Sequence, residues 1–227
     1  GPRRPGRSTL GHSHDDVTAA DESRRSDSAR LPREERRAQL LRAASEVYVA
    51  QGYNTAAMDD IAERAGVSKP VLYQHFPGKL DLYVALLDDG IAVLLDTLRT
   101  AIEATTDNKQ RVRGAIAAYF AFVDDPDGAY RLVFESDLTN EPAVRYRVEA
   151  ADDACSLLLG QVIAEDTGLS SAQAELLASG LLGMAQIAAR RWLREEPRMA
   201  REAAVDLIAG LGWRGIGGFP LSHPPTP

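Results

Sequence analysis

Apolar residues recur along this chain at spacings of three and four, the signature of helices with one buried face. Leu40, Ala44 and Val47 form one such stripe with Leu41 and Tyr48 beside it, and Gly52 follows, so a first helix is expected from Pro32 to Gln51. Met58, Ile61, Ala62 and Ala65 give a second, shorter stripe, with Asp59, Asp60, Glu63 and Arg64 turned outward and Gly66 as its stop. Ser68 is a residue type that caps helix N-termini and Pro70 falls where a missing N–H costs nothing, so a third helix starts at Lys69. Its apolar side carries Leu72 and Phe76, its outer side Lys69, Tyr73 and Gln74, and Phe76-Pro77-Gly78 ends it. Leu80, Tyr83, Leu87, Ile91, Leu94, Leu98 and Ile102 then predict one long helix from Leu80 to Ala104.

The pattern continues to the C-terminus. Asp107-Asn-Lys-Gln110 has the form of a capping box and opens a helix with Val112, Ile116, Tyr119, Phe120 and Val123 on one face. After the turn Asp124 to Gly128, a short aromatic helix is expected at Tyr130 to Glu135. Thr139 to Pro142 starts a longer one with Val144, Val148, Ala151, Cys155, Leu158 and Val162 in register, stopped by Gly168. Ser170 to Gln173 caps the next, striped by Leu177, Leu181, Met184, Ala188 and Trp192. Beyond Pro197, Met199, Ala203, Leu207 and Leu211 mark a last helix, with Gly212 at its expected end. No window alternates with period two, so the fold class is all-α, with about nine helices, three in an N-terminal head and six in a body. The expected division is 1–30 an arm, 31–78 the head, 79–214 the body and 215–227 a tail.

Charge modifies this picture. The formal net charge is −7, which argues against a basic nucleic-acid-binding fold, but the acidity is uneven. Residues 31–83 balance seven Lys and Arg against seven acids, while residues 84–227 carry thirteen against twenty-one. Any nucleic-acid contact therefore rests on a few placed cations and is salt-sensitive. Residues 1–30 are rich in Gly, Pro, Ser, Arg and Asp and cannot bury much apolar surface, so they read as a flexible arm. Its six arginines among five acids are either a solvated tail or a strand that follows a DNA backbone. Cys155 is the single cysteine, which excludes an intramolecular disulfide and a thiolate metal cluster. No apolar run reaches the length of a membrane span and no signal-peptide core is apparent, so a cytoplasmic, nucleoid-associated protein without membrane contact is expected. There is no Ser-His-Asp set, ligand spacing or glycine-rich phosphate loop, so neither an enzyme, a metal site nor a cofactor is expected.

The segment Met58 to Lys79 carries the chemistry. Two short helices joined at a glycine are the outline of a helix-turn-helix, although such corners also serve as plain scaffolding. The outer face of the second helix offers hydroxyl, amide and cationic groups, the types that clamp phosphates and read base edges. With Gly52-Tyr53 ahead, the run IAxxAGVSxPxLYxHFxxKxxLY, carried by Ile61, Ala62, Ala65, Gly66, Val67, Ser68, Leu72, Tyr73, His75, Phe76, Lys79 and Leu82, resembles the DNA-binding domain of TetR-type transcriptional regulators. Where that family has Ser or Thr capping the first short helix, this chain has Ala56 and Ala57, with Thr55 early. The run from Arg30 to Lys79, Thr105 to Gln110, and Tyr130 to Glu135 with Glu141-Pro142 further resemble the actinobacterial FasR-type regulators of fatty acid synthesis, which respond to long-chain acyl-CoA.

That resemblance implies a homodimer on double-stranded DNA with a near-palindromic operator, its half-sites roughly 34 to 36 Å apart. It places Lys69, Pro70, Val71 and Gln74 at base edges and Ser68, Tyr73, His75 and Lys79 at phosphates, with a backbone-bonding role open for His75. The last two long helices, with Gly180, Gly183, Ala188, Ala189, Ala203 and Ala204, would pair with a partner copy or simply pack the core. A hydrophobic small-molecule effector in the body would meet Leu94, Leu98, Ile102, Tyr119, Phe120, Val123, Phe134, Cys155, Leu158 and Met184, each of which also reads as ordinary core. Arg111, Arg113, Arg131, Arg145 or Arg147 are candidates for the CoA phosphates. A repressor sensing another hydrophobic compound, or an all-α enzyme or carrier, are the alternatives.

Overall fold

The computed structural model describes residues 31–125 and 137–216. Over these it forms α1 (Arg33–Gln51), α2 (Met58–Ala65), α3 (Lys69–His75), α4 (Lys79–Glu103), α5 (Asn108–Asp124), a 3-10 turn (Asp137–Asn140), α6 (Pro142–Thr167), α7 (Ser171–Leu193) and α8 (Arg201–Ile216). The all-α expectation holds, with eight α-helices rather than about nine among the described residues. The short helix expected at Tyr130 to Glu135, with Arg131 and Phe134, lies outside the described residues, as do the arm 1–30 and residues 217–227. No described helix is long and apolar enough to cross a membrane. The chain divides after Gln39 into two compact units. In the first, the opening of α1 is fixed by Arg36 Nη1 donating to Gln39 Oε1 at 2.7 Å. The second, Leu40–Pro227, contains the rest of α1 and the other seven helices.

Local sequence explains the corner. Gly66 sits at φ 67°, ψ 32°, and its N–H reaches back to Glu63 O while Val67 N–H reaches Ala62 O, both at 3.0 Å. This closure of α2 needs a left-handed residue, which glycine supplies without strain. The N-cap of α2 is Ala57, not Thr55, and Asp60 Oδ2 accepts from the Ala57 N–H at 3.4 Å in the place of a hydroxyl cap. Ser68 occupies the N-cap position of α3, yet its side chain makes no capping bond. The reason is local: Pro70 has no N–H to offer, and the Val71 N–H is taken by Ser68 O at 3.0 Å. The Ser68 hydroxyl thus stays exposed at the surface.

Two apolar clusters organise the second unit. The first gathers Leu40, Ala44 and Tyr48 of α1, Ile61 of α2, Leu72 of α3, Leu82, Tyr83 and Leu87 of α4, and Val144 of α6. The second gathers Leu94, Leu98 and Ile102 of α4, Ile116, Tyr119, Phe120 and Val123 of α5, Cys155 of α6, Leu182 and Trp192 of α7, and Val205 of α8. Helices α4 and α6 therefore pass from one cluster to the other. Asp107 Oδ1 caps α5 by accepting from the Gln110 N–H at 3.0 Å, and Ser170 with Gln173 closes a full capping box on α7.

The last helices differ from expectation in which face they bury. On α7 the deepest residues are Ala174, Ala178, Leu182, Ala185, Ala189 and Trp192, while Leu177, Leu181, Met184 and Ala188 are half-buried beside them. At α8 the expected stripe is exposed, Met199 just ahead of the helix and Ala203, Leu207 and Leu211 on it, and Ala204, Val205 and Ala209 are the buried face. Periodicity identified each helix but could not tell a core stripe from a surface one when both are apolar. Gly212 does not end α8, which continues to Ile216. A Cβ there would lie 3.0 Å from Met184 Cε and 3.2 Å from Leu181 Cδ2, so glycine at this point makes room for α7. Gly160 plays the same part between α6 and α7, where an added Cβ would meet Glu175 Cα and Cγ at 3.1 Å.

Because the nearest atoms at Gly160 include backbone, Gly160→Ala should push α7 outward. The expected cost is about 1 to 3 kcal/mol, seen as a lower melting temperature, whereas Gly180→Ala, with nothing within 4 Å of the new methyl, should leave melting unchanged or raise it.

Candidate functional site

Helix α3 presents the residues expected to face DNA. Ser68, Lys69, Pro70, Tyr73 and Gln74 are exposed, Val71, His75 and Lys79 are half-buried, and Leu72 and Phe76 are buried against the first cluster. A seven-residue helix held by two apolar side chains thus shows hydroxyl, amide, phenol and ammonium groups on one outer face. Lys69 Nζ lies 2.5 Å from Asp59 Oδ2 of α2, an exposed pair that a phosphate or base can replace at small cost. Lys79, at the first turn of α4, stands over the Tyr53 ring at 4.4 Å and donates to Asn54 O at 3.3 Å. Tyr48, Tyr53 and Tyr83 stack around this point with centroids 5.2 to 5.7 Å apart. The Tyr48 hydroxyl donates to Lys79 O at 3.1 Å, and burial raises its pKa well above the ordinary phenol range. The donor therefore stays protonated at any physiological pH.

Among the described residues, three adjoining cavities lie in the body. The middle one is walled by Leu94 and Leu98 of α4, Val112, Ala115, Ile116 and Tyr119 of α5, Cys155 and Leu159 of α6, and Leu181, Leu182 and Ala185 of α7. A smaller one shares Leu94, Tyr119, Cys155 and Leu182 with it and adds Ile91, Phe122, Val148, Asp152 and Gln186. The largest shares Val112, Leu159 and Leu181 with the middle one and adds Ile102, Asn108, Arg111, Val162, Ile163, Asp166, Thr167 and Trp213. The walls are apolar except at the two ends of the series. At one end Gln186 Nε2 donates to Asp152 Oδ1 at 2.7 Å, and burial still holds that carboxyl above its usual range against the Gln186 bond and nearby Arg190.

Of the residues expected at an effector, Leu94, Leu98, Tyr119 and Cys155 line the middle cavity and Ile102 the largest. Phe120 and Val123 do not: Phe120 is fully buried against Trp192, with centroids 5.5 Å apart, and Val123 is packed in the same cluster. Leu158 and Met184 border the second cluster without lining any of these three cavities, Met184 pointing instead to Gly212. The walls missed by sequence reasoning are mostly small or half-buried, such as Ala115, Leu159 and Ala185; of these only the spacing from Ile116 and Leu182 could have signalled a place on the same face. The described arginines proposed for phosphates are engaged, Arg111 with Ile102 O and Thr105 O. Arg113 bonds Asp206 at 2.7 Å and Glu202 at 3.0 Å, Arg147 bonds Asp88 at 2.8 Å, and Arg145 lies 4.0 Å from Glu149.

Residues 40–86 match the family model for bacterial regulatory proteins of the tetR family, and residues 97–218 match that of the tetracyclin repressor-like C-terminal domain. The chain is also 45% identical over 194 residues to the transcriptional activator FasR of Mycolicibacterium smegmatis, covering 86% of this chain and 89% of that protein. This chain is a TetR-family transcriptional regulator. Among solved structures, a TetR-like regulator from Rhodococcus sp. RHA1 matches with TM-score 0.65 and 26% identity, over 83% of this chain and 100% of that one. FadR from Bacillus subtilis, solved in complex with stearoyl-CoA, matches with TM-score 0.62 at 19% identity, over 77% of this chain and 97% of that one, and so agrees in fold. A TetR-family regulator is a DNA-binding protein and not an enzyme, which removes the carrier and enzyme alternatives and assigns the α2–α3 corner to its helix-turn-helix.

In this regulator Cys155 is 2% exposed and its thiol is pushed up to about 12 by burial, with the Asp152 charge adding to the effect. At pH 8 such a thiol is ionised to about one part in ten thousand, and only the thiolate reacts. Native chain should therefore resist an aromatic disulfide reagent, with labelling at least a hundredfold slower than in urea; fast native labelling would mean that the middle cavity is open to solvent at Cys155.

Proposed function

We propose that two copies of this chain bind one near-palindromic double-stranded DNA site ahead of lipid-synthesis genes, and that a long-chain acyl-CoA or fatty acid in the body cavities lowers that affinity. The observation that carries this reading is that α4 and α6 each have one end in the cluster that holds the DNA-reading helix and the other in the cavity walls. Leu82 to Leu87 and Val144 belong to the first cluster, while Leu94, Leu98, Ile102, Cys155, Leu159 and Ile163 line the cavities. An apolar guest that spreads these walls must move helices on which α3 rests. The likeness to FasR over most of both chains supports fatty acid synthesis as the controlled process, and its being named an activator favours activation. The stearoyl-CoA complex of the FadR with this fold supports the class of guest.

On the reading surface, Lys69, Pro70, Val71 and Gln74 take the base edges. Gln74 suits a bidentate contact to adenine and Val71 a thymine methyl. Ser68, with its hydroxyl unspent, joins Tyr73, His75 and Lys79 at the phosphates, so the functional head ends at residue 78 and the effector and dimer domain starts at Lys79. For the dimer, the support is the apolar surface on α7 and α8: Leu176, Ile187, Leu207 and Leu211 are 75%, 64%, 61% and 55% exposed. Gly180 and Gly183 on the same helix have no neighbour within 4 Å of an added Cβ, leaving space for a partner helix to approach. Four large exposed apolar side chains on two adjacent helices are the kind of patch that marks an association surface.

Tyr73→Ala combined with Lys79→Ala should reduce binding to the promoter beside its own gene at least a hundredfold in a gel-shift assay while leaving the helical spectrum intact; undiminished binding would remove α3 as the reading helix. Leu207→Glu with Leu211→Glu should shift the sedimenting species from dimer to monomer and cost DNA affinity with it, and an unchanged dimer would place the interface elsewhere. Micromolar palmitoyl-CoA should release wild-type chain from the DNA. Indifference to it, together with release by an unrelated hydrophobic compound, would assign the cavities to a different effector.

A further inference from the structure

The helix-turn-helix carries no excess of positive charge. Residues 58–79 hold three cations, Arg64, Lys69 and Lys79, against three acids, Asp59, Asp60 and Glu63. Each cation is also occupied. Arg64 pairs with Glu46 of α1, Lys79 donates to Asn54 O and stands over the Tyr53 ring, and Lys69 Nζ lies 2.5 Å from Asp59 Oδ2. The Lys69 pair is set apart by its place: it joins the first turn of α2 to the first residue of the helix that presents the outer polar face. Its side chains are 59% and 57% exposed, so the pair is displayed rather than packed away.

Helix α2 has little need of Asp59 for its own N-terminus. Asp60 already accepts from the Ala57 N–H at 3.4 Å, and a second acid in that turn adds only a small dipole term. The Asp59 carboxylate is turned across the corner to Lys69 instead. A lysine that meets a phosphate gains because a cation condensed on the DNA is released, and at about 0.15 M salt one such contact is worth about fivefold in affinity. For Lys69 that gain is cancelled. Moving to a phosphate uncovers Asp59 beside the DNA backbone, where the carboxylate recruits a cation in place of the one released and is repelled by the phosphates. A guanine edge differs, because its O6 and N7 are neutral acceptors. An ammonium has three donors, so Lys69 can bond that edge and keep Asp59 as well.

We infer that Asp59 is a specificity-determining residue, which withholds Lys69 from phosphates and holds it for a base edge. This rests on the reading that α3 enters the groove, and it says how a corner of balanced charge discriminates between sequences. Asp59 acts through Lys69, so it is a positioning residue. Non-specific DNA gains nothing from Lys69, while a site with guanine at the matching position gains the whole contact.

The test follows the full chain by fluorescence anisotropy on two duplexes, one selected by wild type from random-sequence DNA and the other its scrambled counterpart, over about 50 to 300 mM KCl. Asp59→Asn should bind the scrambled duplex about fivefold more tightly at about 0.15 M and steepen its log–log salt dependence by about 0.9. The selected duplex should tighten less than about twofold, so the specificity ratio falls by more than half. Lys69→Ala should weaken the selected duplex about tenfold and leave the scrambled slope as it is in wild type. In that background Asp59→Asn should add no slope. The exposed Asn keeps the shape of the side chain, and the melting temperature should stay within about 3 °C of wild type. Unchanged scrambled binding in Asp59→Asn, equal tightening of both duplexes, or a steeper slope that survives Lys69→Ala overturns the inference. So does a Lys69→Ala single variant whose scrambled slope falls by about one, because Lys69 is then a phosphate clamp in the wild type. A wild type that selects no sequence at all removes the reading of α3 itself.

Discussion

A continuous helix has one rotational phase along its whole length, and α4 has to satisfy two apolar clusters with it. Leu82, Tyr83, Leu86 and Leu87 face the first cluster and Leu94, Leu98 and Ile102 the second. The seven steps from Leu87 to Leu94 are about 10 Å of rigid hydrogen-bonded backbone, so any roll or tilt imposed at one cluster arrives at the other. Helix α6 repeats the arrangement with Val144 in one cluster and Cys155 in the next. The Arg147 guanidinium bonds Asp88 at 2.8 Å between the clusters and ties the two helices together there. The pair of helices then behaves as one lever with a walled cavity at one end and the helix-turn-helix at the other.

What the lever acts on is fixed by aromatic packing. Tyr48, Tyr53 and Tyr83 come from α1, the following loop and α4, and their contacts, edge-on from Tyr83 to each of the others and tilted between Tyr48 and Tyr53, join three elements at the start of α4. Lys79 is held there twice, by its carbonyl through Tyr48 and by its ammonium over Tyr53. Aromatic side chains packed in this way resist small displacements, because the contacts are directional as well as close. The start of α4 and the end of α3 are separated only by Phe76, Pro77 and Gly78. Fixing one therefore fixes the direction in which Tyr73 and Gln74 face outward, with the loop too short to absorb a change.

The head was legible in the sequence because its determinants are local. Gly66 and Pro70 each do one thing that few other residues can, and the apolar positions of two short helices leave one choice of buried face. The body was legible as helices and much less so as a site. On α8 the more hydrophobic stripe, Leu207 and Leu211, turned out to be the surface, and the core was made by Ala204, Val205 and Ala209. A residue's own hydrophobicity does not say whether its partner is in the same chain. The cavity walls were half anticipated for the same reason: Leu98 and Phe120 have equal claims in a one-dimensional pattern, and only their distance from facing helices separates a wall from a packed core.

That distance is itself set by small residues away from the cavities. Gly160 lets α7 come up against α6 at Glu175, and Gly212 lets α8 come up against Met184 and Leu181 of α7. With the helices pinned at these points, the space facing Ala115 on α5 and Ala185 on α7 is left unfilled, since a methyl group cannot cross it. Packed interiors rarely tolerate such volume without either a guest or a cost in stability. The unfilled space is thus apolar in its middle and polar at its two ends, at Asp152 with Gln186 and at Arg111 with Asp166, so its chemistry changes along its length.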